Sequence, residues 1–208
     1  LQAEVQDCIV KGTVSADNGD YVGGIAGYAT KDINQCGFEG EVKGIEYVGG
    51  IVGSSNYDVL KSYVKGDVVG SSYVGGVSGY GGCLNSYHIG NTTGTSNVGG
   101  ISGYEYNARN CYSYGTVSSD YGIAPNLSSQ YYSCNLTSSL FLRSNYSNDN
   151  CNCGPDKTFL SKLSVINSDE AYSTQVWKDI DAQCPLLQWQ SDSLGGDVEV
   201  PGFGDEDW

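Results

Sequence analysis

The residues able to do chemistry are few and scattered. The chain of 208 residues carries one histidine, His88, and eight cysteines: Cys8, Cys36, Cys83, Cys111, Cys134, Cys151, Cys153 and Cys184. A zinc site draws on clustered thiolates and imidazoles, often as C-x-x-C pairs, and no such pair occurs. His88 stands between Tyr87 and Ile89 without a Cys, Ser or acidic partner recognisable in the sequence, fits the start of a strand, and is given no role. Glu41 and Asp67 occupy equivalent places and could form the carboxylate pair of a glycoside hydrolase. Their column also holds Thr13, Asn91 and Thr116, with no base or activated nucleophile beside them, so they read as solvated side chains. Asp17-Asn18-Gly19-Asp20 gathers oxygen ligands as a Ca²⁺ site would, but lacks the remainder of a calcium loop and reads as a turn. No catalytic residue, no metal and no cofactor is expected.

The cysteines have a different use. Their even number, wide spacing and lack of a redox motif predict disulfides formed in an oxidising compartment. Four N-x-[ST] sequons, at Asn91, Asn126, Asn135 and Asn145, would accept N-glycans in a eukaryotic host. A net charge of −14 and an isoelectric point near 4.1 set the chain against phosphate backbones and anionic lipid. Apolar runs stay short of the ~18 residues of a membrane span. The acidic start Leu1-Gln2-Ala3-Glu4 is unlike a signal peptide and suggests a processed, secreted chain at the cell surface or outside it.

The elements that position these residues come from a repeat. Glycine is 30 of 208 residues, and much of it falls in four copies of one unit: Val22-Gly-Gly-Ile-Ala-Gly27, Val48-Gly-Gly-Ile-Val-Gly53, Val74-Gly-Gly-Val-Ser-Gly79 and Val98-Gly-Gly-Ile-Ser-Gly103. The spacings are 26, 26 and 24 residues. Each is preceded by a Gly-x-Val unit, at Gly12, Gly40, Gly66, Gly90 (with Thr92 in the valine place) and again at Gly115. Two short β-like runs per period, without helical periodicity, predict an all-β chain: a β-solenoid of about five coils over residues 1–127. Alternation turns Val14, Val42, Val68 and Val117 inward with Val22, Val48, Val74, Val98, Ile25, Ile51, Val77 and Ile101. The unit's glycines suit a corner where backbones approach closely or φ is positive. Tyr21, Tyr47 and Tyr73 precede the same valine in three successive coils, with Asn97 in the fourth place. They form an outward ladder that could serve stability alone, stack on sugars, or meet another subunit.

The Gly-x-Val and Val-Gly-Gly-Ile-x-Gly doublet resembles the GLUG-motif repeat family of extracellular and cell-surface proteins, over roughly residues 8–127. The resemblance implies a β-solenoid used in surface structure or adhesion, and in some members an accessory part of IgA-cleaving metallopeptidases. Those peptidases carry an H-E-x-x-H zinc motif elsewhere, and with His88 alone this sequence has none.

Coils stacked ~4.8 Å apart bring equivalent Cα atoms within disulfide range. Counting back four residues from each Gly-x-Val aligns Cys8, Cys36, Ser62, Ser86 and Cys111, which predicts a Cys8–Cys36 bond, with Cys83–Cys111 a further pairing. Residues 128–190 are expected to form a disulfide-stapled C-terminal cap. It includes one short helix within 156–166 and a segment, from Trp177 to Pro185-Leu-Leu-Gln-Trp189, that resembles the closing segment found after such repeats. Residues 191–208 read as an acidic tail or linker. With seven residues before the first coil, the N-terminal strand edges have no evident cover, which points either to further repeats that precede this sequence or to another copy docking there, and the sequence does not separate the two. The expected role is a non-enzymatic structural or adhesive module, self-associating end to end in a surface appendage or filament. The alternative is a carbohydrate-binding module using the tyrosine ladder. Partners would be other copies or surface proteins, or glycans, without nucleic acid or membrane insertion.

Overall fold

The computed structural model describes residues 2–104, 107–109, 111–118, 129–131, 134–135, 176–178 and 186–190. The short apolar runs become short strands because glycines and turn residues interrupt them every few positions. The first coil contains β1 (Val5–Gln6), β2 (Ile9–Lys11), β3 (Val14–Ser15), β4 (Asp20–Gly23) and β5 (Ala26–Ala29). The second repeats it as β6 (Ile33–Asn34), β7 (Gly37–Glu39), β8 (Val42–Lys43), β9 (Glu46–Gly49) and β10 (Val52–Ser55). The third is β11 (Val59–Leu60), β12 (Tyr63–Lys65), β13 (Val68–Val69), β14 (Ser72–Gly75) and β15 (Ser78–Tyr80). The fourth is β16 (Cys83–Leu84), β17 (Tyr87–Ile89), β18 (Thr92–Thr93), β19 (Ser96–Gly99) and β20 (Ser102–Tyr104). Two of the sheets run on through β21 (Asn107–Arg109), β22 (Tyr112–Tyr114), β23 (Ser129–Tyr131) and β24 (Cys134–Asn135). An antiparallel pair, β25 (Trp177–Lys178) and β26 (Leu186–Leu187), stands apart from them.

Each strand pairs in parallel with its equivalent one coil away, giving five sheets along the stack. The fold is therefore a β-solenoid of about four complete turns rather than the five expected. After Val117, which bridges Thr92, the glycine doublet that would close a fifth turn has decayed in sequence. Backbone donors link successive coils, as from Val14 N–H to the Glu41 carbonyl (2.9 Å) and from Val42 N–H to the Asp67 carbonyl (2.9 Å).

The register follows the alternation. Val14, Val42, Val68 and Thr92 form one column, and Val22, Val48, Val74 and Val98 another. With Ile51, Val77 and Ile101 they are buried, save Val14, which is half-buried in the terminal coil. A single coil leaves these side chains wet on two sides, so stacking supplies the stabilisation, of order 25 cal/mol per Å² of apolar surface removed from water.

The two glycine units solve different problems. The first glycine of each Gly-x-Val has φ between 134° and 148°, and a Cβ on Gly40 would collide with the Gly12 carbonyl. The glycines of the longer unit have no positive φ; they are needed for close approach, since β4 and β5 fold back on one another. A Cβ on Gly53 would strike the Tyr21 and Tyr47 backbones.

The predicted Cys8–Cys36 bond is not formed, and both residues are free thiols; Cys83 and Cys111 are thiols as well. Cys8, Cys36, Ser62, Ser86 and Cys111 do share a column, but its side chains bond to backbone. Cys36 Sγ reaches the Asn34 carbonyl (3.3 Å) as Ser62 Oγ reaches that of Leu60 (2.8 Å) and Ser86 Oγ that of Leu84 (3.1 Å). Cys36 Sγ also lies 3.8 Å from the Val5 carbonyl, so its rotamer is set by the backbone around it and not by Cys8. Burial raises the Cys36 thiol to about 11, keeping it protonated. No disulfide joins Cys8, Cys36, Cys83 or Cys111, so a disulfide-stapled cap is not supported. Cys151, Cys153 and Cys184, the helix expected within 156–166, the tail, Asn126 and Asn145, and the side chains of Cys134 and Asn135 lie outside the described residues.

Candidate functional site

The side chains with a capacity for chemistry or contact gather on two tyrosine faces. Tyr21, Tyr47 and Tyr73 each sit one residue before a core valine and have φ of 59°, 53° and 53°, matched by Asn97 at 51°. This left-handed conformation is what lets the chain turn the ring outward between two strand residues. Their rings stack across coils, with centroids 4.8 and 4.7 Å apart and planes within 3° and 6°. A second column lies alongside: Tyr28, Ser54, Tyr80 and Tyr104, each following the last glycine of its unit. Tyr80 stacks on Tyr104 at 5.5 Å. Edge-on contacts tie the columns together, Tyr21 to Tyr28 (6.1 Å), Tyr47 to Tyr80 (6.3 Å) and Tyr73 to Tyr104 (5.7 Å). Six rings thus make one continuous face, bordered by Asp20 and Glu46, of which Tyr21 and Tyr28 are 46% and 41% exposed. Partial burial first, then the neighbouring phenols of Tyr73 and Tyr21 and the Glu46 carboxylate, raise the Tyr47 hydroxyl.

The other face lies on the sheet of β7, β12, β17 and β22. Tyr63, Tyr87 and Tyr112 stack at 5.6 and 5.0 Å and are fully buried. Tyr63 and Tyr87 are covered by Trp189 and Gln190. Trp189 lies 5.7 Å from the Tyr63 ring and donates its indole N–H to the Lys61 carbonyl (2.7 Å). The Gln190 amide exchanges hydrogen bonds with the Tyr87 hydroxyl (2.8 and 3.2 Å) and accepts from Leu187 N–H (2.7 Å). Tyr63 donates to Glu39 (2.9 Å), which also pairs with Lys11 (2.6 Å). Burial, with Glu39 beside it, pushes the Tyr63 hydroxyl far above its usual range.

The polar residues weighed in the sequence turn out to be structural. His88 is not at the start of a strand but in the middle of β17, facing the core in a column with Val10, Phe38, Val64 and Ser113. It is fully buried, its Nε2 lies 2.9 Å from the Gly66 carbonyl, and burial lowers its pKa. Asp67 accepts from the Asn91 N–H (2.8 Å), and Asn91 Oδ1 accepts from the Thr116 N–H (3.0 Å) and hydroxyl (2.6 Å). Glu41 pairs with Lys43 at 2.7 Å. Asn91 and Thr93 of the first sequon are both exposed. Gly19 N–H bonds to the Ala16 carbonyl in a turn (3.0 Å), and no group of three His, Cys, Asp or Glu among the described residues could hold a metal ion. No described helix is long and apolar enough to cross a membrane.

The second open column and the covered face were not read from the sequence. For Tyr80 and Tyr104 the signal was present, as the Gly-Tyr that closes the repeat unit; for the cover, a partner more than a hundred residues away left none.

No protein-family model and no curated protein matches the chain. Among solved structures it is similar to a chain from Bacteroides ovatus named a "putative immunoglobulin A1 protease", with a TM-score of 0.60 and 18% identity, over 88% of this chain and 76% of that one. At this identity the likeness concerns the fold.

Proposed function

We propose that the chain is a non-enzymatic, extracellular structural or adhesive module, a secreted member of a cell-surface assembly with the GLUG-type repeat, and that it associates end to end with other copies. The observation that carries this reading is the stack itself, in which five parallel sheets join each strand to its equivalent one coil away, so that every coil is a template for another of the same rise. Among the described residues the first coil ends all five sheets. Val10, Val14 and Ile25 are half-buried where Phe38, Val42 and Ile51 are fully buried. Such an edge accepts another coil of the same rise, whether from a second copy or from chain preceding Leu1 in a longer protein. The burial of His88 supports the non-enzymatic reading, since a core imidazole cannot meet a substrate. The acidic charge disfavours nucleic acid and anionic membranes. Light scattering over a range of concentrations, with electron microscopy, tests the proposal. End-to-end oligomers are expected, and Ile25→Lys, which charges the open face, should disperse them. A strict monomer at every concentration would sink it.

The second reading is a carbohydrate-binding module, favoured by the six-tyrosine face. Loss of binding to a glycan array on replacing Tyr21, Tyr47 and Tyr73 with alanine, with the melting curve preserved, would support it.

A further inference from the structure

We propose that the open tyrosine column is a site of oxidative cross-linking, in which neighbouring rings of successive coils join covalently. The inference is independent of the assembly proposed above and rests on three contrasts. The rings of Tyr21, Tyr47 and Tyr73 are stacked in register at 4.7–4.8 Å and reach the surface. Tyr63, Tyr87 and Tyr112 are stacked too, but are buried, Tyr63 and Tyr87 beneath Trp189 and Gln190. Tyr57 is 48% exposed and has no stacked ring among the described residues; its neighbour is Lys31, 5.5 Å above its face. Among the described residues, proximity and access coincide in the open columns alone.

Tyr21, Tyr47 and Tyr73 also hold positive φ, as Asp7, Gln35, Lys61 and Asn85 do at another corner of the coil. Bulky side chains are uncommon there. Asn97 shows that the fourth coil makes this turn with a residue better suited to it. Three successive coils hold tyrosine there instead, and the return is a row of phenols at one spacing.

The co-reactant is a peroxide used by a one-electron oxidant such as a haem peroxidase. Each of two adjacent phenols gives up one electron and its hydroxyl proton. The two phenoxyl radicals join through ring carbons ortho to oxygen, and each ring regains its phenol as the hydrogen on the bonded carbon moves to oxygen. The pair loses two hydrogens in all, and one hydrogen peroxide becomes two waters. The product staples coil to coil where the disulfide read from the sequence is not formed.

The test treats the dilute protein with a haem peroxidase and hydrogen peroxide, follows dityrosine fluorescence, and maps linked peptides by mass spectrometry. The expected links are Tyr21–Tyr47, Tyr47–Tyr73 and Tyr80–Tyr104, within one chain and with a raised melting temperature. Tyr47→Phe should abolish the first two and spare the third, which shows that the variant is folded and the oxidant active. Products dominated by Tyr57, links through Tyr63 and Tyr87 in the folded protein, links to Tyr47 that form only between chains, or yields unchanged in Tyr47→Phe would each overturn the proposal.

Discussion

The solenoid carries two tyrosine ladders of similar stacking and opposite fate. The ladder of Tyr63, Tyr87 and Tyr112 is buried, with Tyr63 and Tyr87 beneath a segment from the far end of the chain, and the hydroxyls of Tyr63 and Tyr87 are bonded to Glu39 and Gln190. The ladder of Tyr21, Tyr47 and Tyr73 has no such cover among the described residues, and its rings touch one another and a parallel column of tyrosines. A ladder of rings in a solenoid is thus not in itself a binding site or a core. What separates the two is whether another part of the chain supplies apolar surface and hydrogen-bond partners, since a buried phenol without a partner is costly and an exposed one is not.

The largest test of this contrast is alanine in each ladder. Tyr87→Ala should lower stability by about 3–5 kcal/mol, the usual cost of emptying a large buried aromatic site, and strand Gln190 as well. Tyr47→Ala should cost about 1 kcal/mol through lost ring contacts. Denaturant melts of the two variants check the difference, and equal losses would erase the distinction. The cover itself comes next. Gln190→Ala should remove about 1–3 kcal/mol by deleting the hydrogen bonds it exchanges with the buried Tyr87 hydroxyl, whereas Asn56→Ala, which takes a 2.9 Å bond from exposed Tyr28, should fall below that on the same melts.

Acid distinguishes the ladders in another way. His88 follows Tyr87 on β17 and is buried, so its folded pKa lies below the ordinary value of 6.5. The unfolded chain therefore takes up a proton first, and stability falls as pH drops below about 6.5, levelling off beneath the folded pKa. Thermal melts between pH 8 and 5 should show this loss, and His88→Val, which copies Val64 one coil away, should flatten that part of the profile. A wild-type melt independent of pH over that range would remove the argument.

The smallest expected effect concerns backbone rather than rings. Tyr73→Asn keeps a residue that tolerates positive φ, as Asn97 does, so relief of strain should offset much of the lost stacking, and the melting temperature should change less than for Tyr73→Ala.

The valine and isoleucine columns, the polar Gly-x-Val face and the parallel stacking could all be read from the repeat, because a fixed period forces equivalent residues into one column. The alignment of Cys8 with Cys36 was read equally well, yet the bond inferred from it is not formed. Register sets where Cα atoms lie, while the rotamer of Cys36 is settled by the carbonyls of Asn34 and Val5. His88 was misplaced for a related reason: a polar residue flanked by Tyr and Ile looks like an edge, and only the column with Phe38 and Val64 shows that it points inward.

By itself, then, the sequence determined the solenoid, its core columns and the outward position of Tyr21, Tyr47 and Tyr73, all consequences of local periodicity repeated along the chain. The tertiary structure alone decided which tyrosines are sheltered and which meet solvent. That choice depends on Trp189 reaching Lys61 and Gln190 reaching Tyr87, contacts spanning 128 and 103 residues. No local pattern encodes them, because they arise only when separate surfaces bury one another.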